Sequence, residues 1–241
     1  MRTDSRKATF YAASGLLVLG LLYPAALGLA QSCGGGHCHG IEECEPNSEW
    51  DPDLCDCEPD SPIILDTTGQ GFQLTSAENG VLFDMQGNGQ KFQVAWTAAN
   101  SGTAFLVLPG ENGVVDSGKE LFGNFTPQPP SDHRNGFAAL AVYDTPEKGG
   151  NGDGIIDSHD SIFASLRLWL DANHDGMSQP EELRTLPSLG VNSISLRYHP
   201  SMRRDQYGNL FRYRAKVNPE NPNDGSEVGR AAYDVFLTTP N

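Results

Sequence analysis

Residues 151–182 read NGDGIIDSHDSIFASLRLWLDANHDGMSQPEE, and this stretch contains an internal repeat. Four positions of the first half recur twenty-two residues later: Asn151, Asp153, Gly154 and Asp160 return as Asn173, Asp175, Gly176 and Glu182. A repeat with a fixed spacing is the mark of a structural unit that occurs twice. The sequence therefore predicts two similar loops joined by one connecting element.

The second copy matches, at every required position, a twelve-residue loop that binds calcium in many proteins. Calcium prefers six to eight hard oxygen ligands, at about 2.3–2.6 Å. Side-chain oxygens at alternate positions, a glycine at the bend, a main-chain carbonyl and a final glutamate supply such a set. The residues predicted to hold the ion are Asp171, Asn173, Asp175, Met177 through its carbonyl, Gln179 and Glu182.

The first copy is less regular. Its predicted ligands are Asn151, Asp153, Ile155 through its carbonyl, Asp157 and Asp160. The position that should hold the first carboxylate falls on Gly149. Asp144 or Glu147 can supply that carboxylate if the intervening residues loop out. Because an aspartate has a shorter reach than a glutamate, a weaker calcium site is predicted here.

Hydrophobic spacing predicts an α+β fold with strands on both sides of this unit. Within the unit, apolar residues of Ser158–Leu170 recur every three or four positions, which predicts an amphipathic helix shared by both loops. A shorter helix is predicted over Phe137–Val142. Ser178 and Glu181 form a capping box, which predicts a helix leaving the second loop. Leu210–Val217 alternates apolar and charged residues, as a half-buried strand does.

These patterns divide the chain into five segments: a leader at 1–30, a cysteine-rich spacer at 31–61, a β-rich segment at 62–130, the paired loop unit at 131–190 and a C-terminal β segment at 191–241. The β-rich segment holds three eroded versions of the loop, which begin at Asp66, Asp84 and Asn112. They keep their glycines but have lost carboxylates, so plain β-turns are the interpretation for them.

The first thirty residues have the layout of a secretory signal peptide. Basic residues precede an apolar run, and Gly28 and Ala30 precede a predicted cut before Gln31. The alternative is a membrane anchor that is not cleaved, but Pro24 argues against it. The sequence therefore predicts a secreted or cell-surface protein of bacterial type, with no membrane segment after cleavage.

All five cysteines lie between Cys33 and Cys57. In an exported protein this predicts a disulfide-stapled segment, in which the odd number leaves one thiol over. His37 and His39 flank Cys38, so a metal site is the alternative.

The formal net charge is −15, and cleavage would remove three basic residues and one acidic residue. So acidic a chain attracts cations and repels nucleic acid and anionic membranes. The sequence lacks Gly-x-Ser-x-Gly, His-Glu-x-x-His and complete phosphate-loop motifs. We therefore predict a binding protein rather than an enzyme, with no catalytic residue.

Residues Ile63–Leu196 resemble a domain of bacterial calcium-dependent exported proteins, including some RTX-type toxins and other EF-hand proteins. The matching phrases are Pro62–Asp66, Gly80–Asp84, Phe105–Leu108, Glu120–Gly123, Leu166–Trp169 and Gly190–Leu196. The resemblance implies calcium binding by Asp171, Asn173, Asp175 and Glu182. The spacing of the two loops also resembles dockerins, whose paired calcium loops bind a cohesin.

The expected function is that of a secreted calcium-binding protein, in which calcium orders the paired loops and stabilises the fold. The alternative is a dockerin-like or adhesive module, whose surface for an unknown protein partner is shaped by calcium.

Overall fold

The chain folds around an eight-stranded antiparallel sheet. The structure, a computed structural model, describes residues 48–51, 56–219 and 231–240. The predicted leader and most of the cysteine-rich segment lie outside these ranges, so the signal peptide and the disulfides stay predictions. The described strands are β1 (Ser48–Asp51), β2 (Asp56–Pro59), β3 (Ile63–Asp66), β4 (Val81–Phe83), β5 (Phe92–Val94), β6 (Thr103–Val107), β7 (Ile155–Ile156), β8 (Arg167–Trp169), β9 (Leu183–Thr185), β10 (Ile194–Arg204), β11 (Leu210–Val217) and β12 (Ala231–Phe236).

The strand order of the large sheet is β7-β10-β11-β12-β3-β6-β8-β9. Strands from all three segments after residue 62 interleave in it, since β3 and β6 lie between β12 and β8. The pairs β1–β2 and β4–β5 form two separate hairpins. The paired loop unit is thus built into the same sheet as the segments on either side of it.

Two hydrophobic cores cover the two faces of the sheet. The helix-side core contains Phe137 and Leu140 together with Leu65 and Leu168 of the sheet. The hairpin-side core contains residues of β4 and β5 together with Ile64, Phe105 and Trp169 of the sheet. Successive side chains of a strand point to opposite faces, so β3 and β8 each contribute to both cores. Burial of this apolar surface is the main term that stabilises the sheet.

The α+β prediction is wrong, because the described part of the chain is mainly β. It contains one short α-helix, α1 (Gly136–Ala141), close to the predicted Phe137–Val142. The Asn135 side chain caps α1 by accepting from the Ala138 N–H at 3.0 Å. The remaining helical segments are single 3₁₀ turns at Ala77–Asn79, Val142–Asp144, Pro146–Lys148 and Leu186–Leu189.

The predicted helix at Ser158–Leu170 does not form. Residues 157–166 make a run of turns, and the chain then extends into β8. Leu168 enters the helix-side core and Trp169 the hairpin-side core, an alternation that a strand provides and a helix does not. Ile162, Phe163 and Leu166 still bury their side chains together in the helix-side core. Their spacing therefore reflects burial without a helix.

The helix predicted after Ser178 is also absent. The Ser178 hydroxyl accepts from the Val115 N–H at 2.7 Å and donates to the Val115 carbonyl at 3.2 Å. That bond with a distant loop replaces the local helix cap, and the chain continues into β9. None of the helices in the described ranges has the length and hydropathy needed to cross a bilayer.

Candidate metal centre

The second predicted loop, Asp171–Glu182, is named loop B. It connects β8 to β9, whose pairing brings Trp169 opposite Leu183. The Leu170 N–H donates to the Glu182 carbonyl at 3.0 Å, which closes the base of the loop. Loop B is therefore the turn of a β-hairpin, and strand pairing brings its first and last residues together.

The Asp171 carboxylate organises the first half of loop B. It accepts from the backbone N–H groups of Asp175 at 3.1 Å and Gly176 at 2.9 Å. It also accepts from the indole N–H of Trp96 at 2.8 Å. Gly176 has a φ of 67°, in the left-handed region that favours glycine. The bend at Gly176 therefore directs two backbone donors at a buried carboxylate.

The Glu182 carboxylate organises the second half in the same way. Its Oε1 accepts from the Ala172 N–H at 2.9 Å. Its Oε2 accepts from the indole N–H of Trp169 at 3.1 Å and from the Gln179 N–H at 3.3 Å. Because Ala172 is next to Asp171, the Glu182 side chain reaches back to the start of loop B.

The middle of loop B groups three further predicted ligands. The Asp175 carboxylate accepts from the side-chain amides of Asn173 at 2.8 Å and Gln179 at 2.9 Å. It also accepts from the Met177 N–H at 2.8 Å. The other amide atom of Gln179, Oε1, is buried and has no hydrogen-bond partner. Loop B therefore contains an unsatisfied buried oxygen at one of its predicted ligand positions.

His174 attaches loop B to the rest of the molecule. Its Nδ1 lies 2.7 Å from the Thr97 carbonyl oxygen, and its Nε2 lies 2.8 Å from the Asn79 carbonyl oxygen. Its φ of 60° is unusual for a residue other than glycine. This backbone conformation points the ring away from the loop centre, toward the segments on either side of β4 and β5.

The first predicted loop, named loop A and running from Asp144 to Asp160, repeats the bonds of loop B. The Asn151 amide donates to the Asp153 carboxylate at 2.8 Å, as Asn173 does to Asp175. The Ile155 N–H donates to that same carboxylate at 2.9 Å, as Met177 does to Asp175. The repeat in sequence is therefore a repeat in hydrogen bonding.

At each end of loop A one hydrogen bond has its counterpart in loop B: Gly154 donates to Asp144 as Gly176 does to Asp171, and Asp157 donates to Asp160 as Gln179 does to Glu182. The Asp160 carboxylate accepts from the N–H groups of Asp157 at 2.8 Å and Asn151 at 3.3 Å. The Asp144 carboxylate accepts from the N–H groups of Gly152 at 3.0 Å and Gly154 at 2.9 Å. The structure thus places Asp144, and not Gly149, where loop B has Asp171.

Gly150 makes this arrangement possible. The 3₁₀ turn at Pro146–Lys148 loops out, and the chain then returns to Asp144. The Gly150 N–H donates to the Thr145 carbonyl at 2.9 Å. A Cβ on Gly150 would lie 2.2 Å from the carbonyl carbon of Asp144. The insertion that interrupts the sequence motif is therefore closed by a contact that only glycine allows.

Charge accumulates in loop A. Burial, together with the nearby carboxylates of Asp144 and Asp157, raises the pKa of Asp160. The exposed His159 ring lies 2.9 Å from Asp157, whose hydrogen bond and charge raise the pKa of that histidine. The direction of both shifts is that expected for a crowded group of anions.

The SPM domain model matches residues 63–237, from β3 to the residue after β12. The chain belongs to the SPM domain family. The SPM domain therefore includes both loops and every strand of the large sheet.

One relative is the iron-regulated protein FrpA of Neisseria meningitidis serogroup C. It is 41% identical to this chain over 140 residues. The match covers 57% of this chain and 12% of FrpA, so this chain corresponds to a small part of that protein.

Two of the three degenerate loops of the SPM domain, those that begin at Asp66 and Asp84, keep hydrogen bonds like those of loops A and B. The Asp84 carboxylate accepts from the N–H groups four and five residues on, Asn88 at 3.1 Å and Gly89 at 2.7 Å. Asp171 of loop B does the same with Asp175 and Gly176. Asp66 instead accepts from Thr68, Gly69 and Gly71. In both turns the carboxylate holds the backbone together.

The sequence patterns gave no role to Trp96 and Trp169, which lie beside loop B, or to His174, which lies within it. Trp96 and the His174 partners lie far from loop B in sequence, so no local pattern could indicate them. The described ranges contain no group of three or more His, Cys, Asp or Glu side chains already arranged to hold a metal ion. Calcium binding by this SPM domain is therefore a proposal.

Proposed function

We propose that this SPM domain binds calcium at loops A and B, and that calcium stabilises its fold. The observation that carries the proposal is the Oε1 atom of Gln179, a buried oxygen without a hydrogen-bond partner. Buried polar atoms are almost always paired with protein groups, water or an ion, and a calcium ion in loop B would satisfy this oxygen. Oxygen ligands, two of them buried carboxylates of Asp171 and Glu182, fit a hard cation such as calcium.

Charge supports the same conclusion. The end residues of the two loops, Asp144, Asp160, Asp171 and Glu182, are all buried. Within the described ranges their hydrogen-bond donors are N–H groups, and no lysine or arginine bridges to them. Each of these carboxylates accepts from two or three N–H groups, which offset part of the cost of burying it. A divalent ion would supply the positive charge that both loops lack.

The ligand set carries over from the sequence analysis with Asp144 in the first position of loop A. Loop A would use Asp144, Asn151, Asp153, Ile155, Asp157 and Asp160, and loop B would use Asp171, Asn173, Asp175, Met177, Gln179 and Glu182. Loop B joins β8 to β9, and loop A is joined to the sheet through β7. Binding at both loops would hold the edge strands β7 and β9 in place.

The stabilisation follows from mass action. A ligand that binds only the folded chain adds about 2.7 kcal/mol when its concentration is one hundred times Kd. Extracellular calcium-binding modules have Kd values of about 10⁻⁴–10⁻³ M. We propose that the chain is exported, on the evidence of its leader, to a compartment where calcium reaches such concentrations. A mature N-terminus at Gln31 would support export.

A dockerin-like interaction module is not proposed. The helix predicted between the two loops, whose face such a module would offer to a partner, does not form, since residues 157–166 form turns. The proposal assigns binding, and no catalytic role, to the two loops.

Thermal unfolding tests the proposal with matched variants. Asp175→Asn and Asp153→Asn each remove one charge from an exposed ligand position. Calcium should raise the Tm of the parent by about 5–10 °C over the value in EDTA. Each variant should lose part of this shift, and the double variant should lose nearly all of it. Asp132→Asn, an exposed aspartate outside both loops, should keep the full shift.

Two outcomes count against the proposal. One is an equal Tm of the parent in calcium and in EDTA, and the other is a double variant that keeps the parental shift. Magnesium at the same concentration should give a smaller shift, because it demands stricter octahedral geometry.

A further inference from the structure

The β10–β11 hairpin concentrates positive charge in an otherwise acidic chain. Between residues 191 and 219 there are six basic residues and one acidic residue, Asp205. The whole chain, in contrast, carries a formal charge of −15. The Asp205 carboxylate is held within the hairpin turn, where it accepts from the N–H groups of Tyr207 at 2.8 Å and Asn209 at 3.1 Å.

Strand register places the basic side chains on one face. His199 lies directly opposite Arg214 in the β10–β11 ladder. Alternation along a strand puts Arg197 on the same face as His199, and Lys216 on the same face as Arg214. All four side chains are exposed, while Tyr213 and Ala215 on the opposite face are buried in the helix-side core. We name Arg197, His199, Arg203, Arg214 and Lys216 the basic face.

Aromatic rings hold part of the basic face in position. The Arg203 guanidinium lies 4.4 Å from the centroid of the Phe211 ring. Arg203 and Arg214 each lie 5.9 Å from the centroid of the Tyr233 ring. Arg203 therefore joins the side of the sheet that carries Arg214. Stacking of this kind fixes a guanidinium while leaving its edge exposed to an anion.

Like charges on facing strands repel one another and destabilise a sheet, so the presence or absence of nearby carboxylates matters for this face. Arg197, Arg214 and Lys216 have no carboxylate within ion-pair distance in the described ranges. Loop A lies beside the start of β10, where the Leu196 N–H donates to the Gly154 carbonyl at 2.9 Å, so its carboxylates offset part of the charge of Arg197. Arg203 lies seven residues beyond Leu196 on β10, roughly 20 Å away at about 3.3 Å per residue, which exceeds the screening length of about 10 Å at 0.1 M salt. The basic face of the hairpin therefore presents a local positive surface to the solvent.

The end of the same hairpin carries exposed apolar side chains. Four large hydrophobic residues are exposed in the described ranges, and two of them, Met202 and Tyr207, belong to this hairpin. Met202 is 66% exposed and Tyr207 is 43% exposed. Apolar and aromatic side chains beside arginines are the combination that enters the interface of an anionic bilayer. Contact with the phosphate backbone of a nucleic acid would use the cations and leave Met202 exposed.

We propose that the β10–β11 hairpin binds the surface of an anionic lipid bilayer. The basic face attracts the headgroups, and Met202 and Tyr207 enter the interfacial region. The charge of the whole chain argues against such contact, but the charges of Arg203 and Arg214, further from loop A along the hairpin, favour it. This inference is independent of calcium binding at loops A and B.

Co-sedimentation with vesicles tests the proposal. The mature chain is mixed with vesicles of phosphatidylcholine alone, or with 30% phosphatidylglycerol, in EDTA so that calcium cannot bridge the acidic loops to lipid. The chain should bind the anionic vesicles and not the neutral ones. The variant Arg197→Gln/Arg214→Gln/Lys216→Gln should bind about a hundredfold more weakly, at about fivefold for each cation removed.

Matched variants separate this surface from net charge. Lys91→Gln/Lys119→Gln/Arg184→Gln removes the same charge from exposed sites elsewhere, and should bind like the parent. Met202→Ser/Tyr207→Ser keeps every cation and should also weaken vesicle binding. Absence of binding to anionic vesicles would overturn the proposal, as would equal binding by the basic-face variant. Binding of duplex DNA with an affinity that the Met202 and Tyr207 changes leave intact would identify a general polyanion site instead.

Discussion

The indole N–H of Trp96 donates to the carboxylate of Asp171 at 2.8 Å, although the two residues are 75 positions apart in the chain. The indole of Trp169 donates to Glu182, and the two indole rings lie edge to face with centroids 5.6 Å apart. Both end carboxylates of loop B are thus connected to the hairpin-side core by tryptophans. The position of loop B is therefore set by the core as well as by its own sequence.

We expect Trp96→Phe to lower the free energy of unfolding in EDTA by about 2–3 kcal/mol. The change keeps an aromatic ring in the core but removes one donor from a buried carboxylate, and hydrogen bonds to charged groups are worth about that much. Urea unfolding measures the effect. Tyr207→Phe, at an exposed site, should change the stability by less than about 0.5 kcal/mol. Equal stabilities of Trp96→Phe and the parent would show that the bond contributes nothing.

Gly150→Ala should abolish calcium binding at loop A while leaving loop B intact. A Cβ at this position would lie 2.2 Å from the backbone carbonyl carbon of Asp144, so the looped-out segment could not close. Isothermal titration of the variant should show one site fewer than the parent. Gly152→Ala is the matched control, because a Cβ there meets nothing within 4 Å. Its φ of 74° still makes alanine cost about 1–2 kcal/mol. Loss of both sites in Gly150→Ala would contradict the separate roles of the loops.

Asp234 gives the fold a pH dependence that is separate from the loops. It lies on β12 and is fully buried, and its Oδ2 accepts from the Gly136 N–H at the start of α1 at 2.9 Å. Burial raises its pKa to about 6, although the Gly136 bond, Ser61 and the charge of Arg212 act in the opposite direction. The folded chain therefore takes up a proton at a higher pH than the unfolded chain does.

The contribution of Asp234 to stability is greatest below its unfolded pKa of about 3.8 and is lost as the pH rises through about 6. The full change is about 3 kcal/mol, at 1.36 kcal/mol for each pKa unit. In EDTA, the free energy of unfolding of the parent should exceed that of Asp234→Asn by a margin that shrinks as the pH rises from 4 to 7. Parallel pH profiles for the two proteins would show that Asp234 does not titrate in this range.

Much of the strand content could be predicted from local patterns. Leu210–Val217 is a strand with the predicted bounds, because an alternating run of apolar and charged residues suffices to indicate it. The bonds that unite Asn173 with Asp175 and Asn151 with Asp153 also depend on neighbours in sequence. For such features the local sequence is the main determinant.

The helix at Ser158–Leu170 was a wrong prediction for a reason that lies outside the segment. Ile162, Phe163 and Leu166 have helical spacing, but Leu168 and Trp169 must face opposite cores. Pairing of Trp169 with Phe105 of β6 and Leu183 of β9 makes residues 167–169 a strand. Tertiary pairing overrides a spacing signal of this length, and no window of the sequence contains both partners.

The most direct test of the account is the number of calcium ions bound by the mature chain and by two single variants, measured by native mass spectrometry with isothermal titration. The parent should bind two ions. Asp144→Asn should lose the ion of loop A, and Glu182→Gln should lose the ion of loop B, so that each retains one. A parent that binds no calcium, or variants that both retain two ions, would contradict the assignment of calcium to these loops.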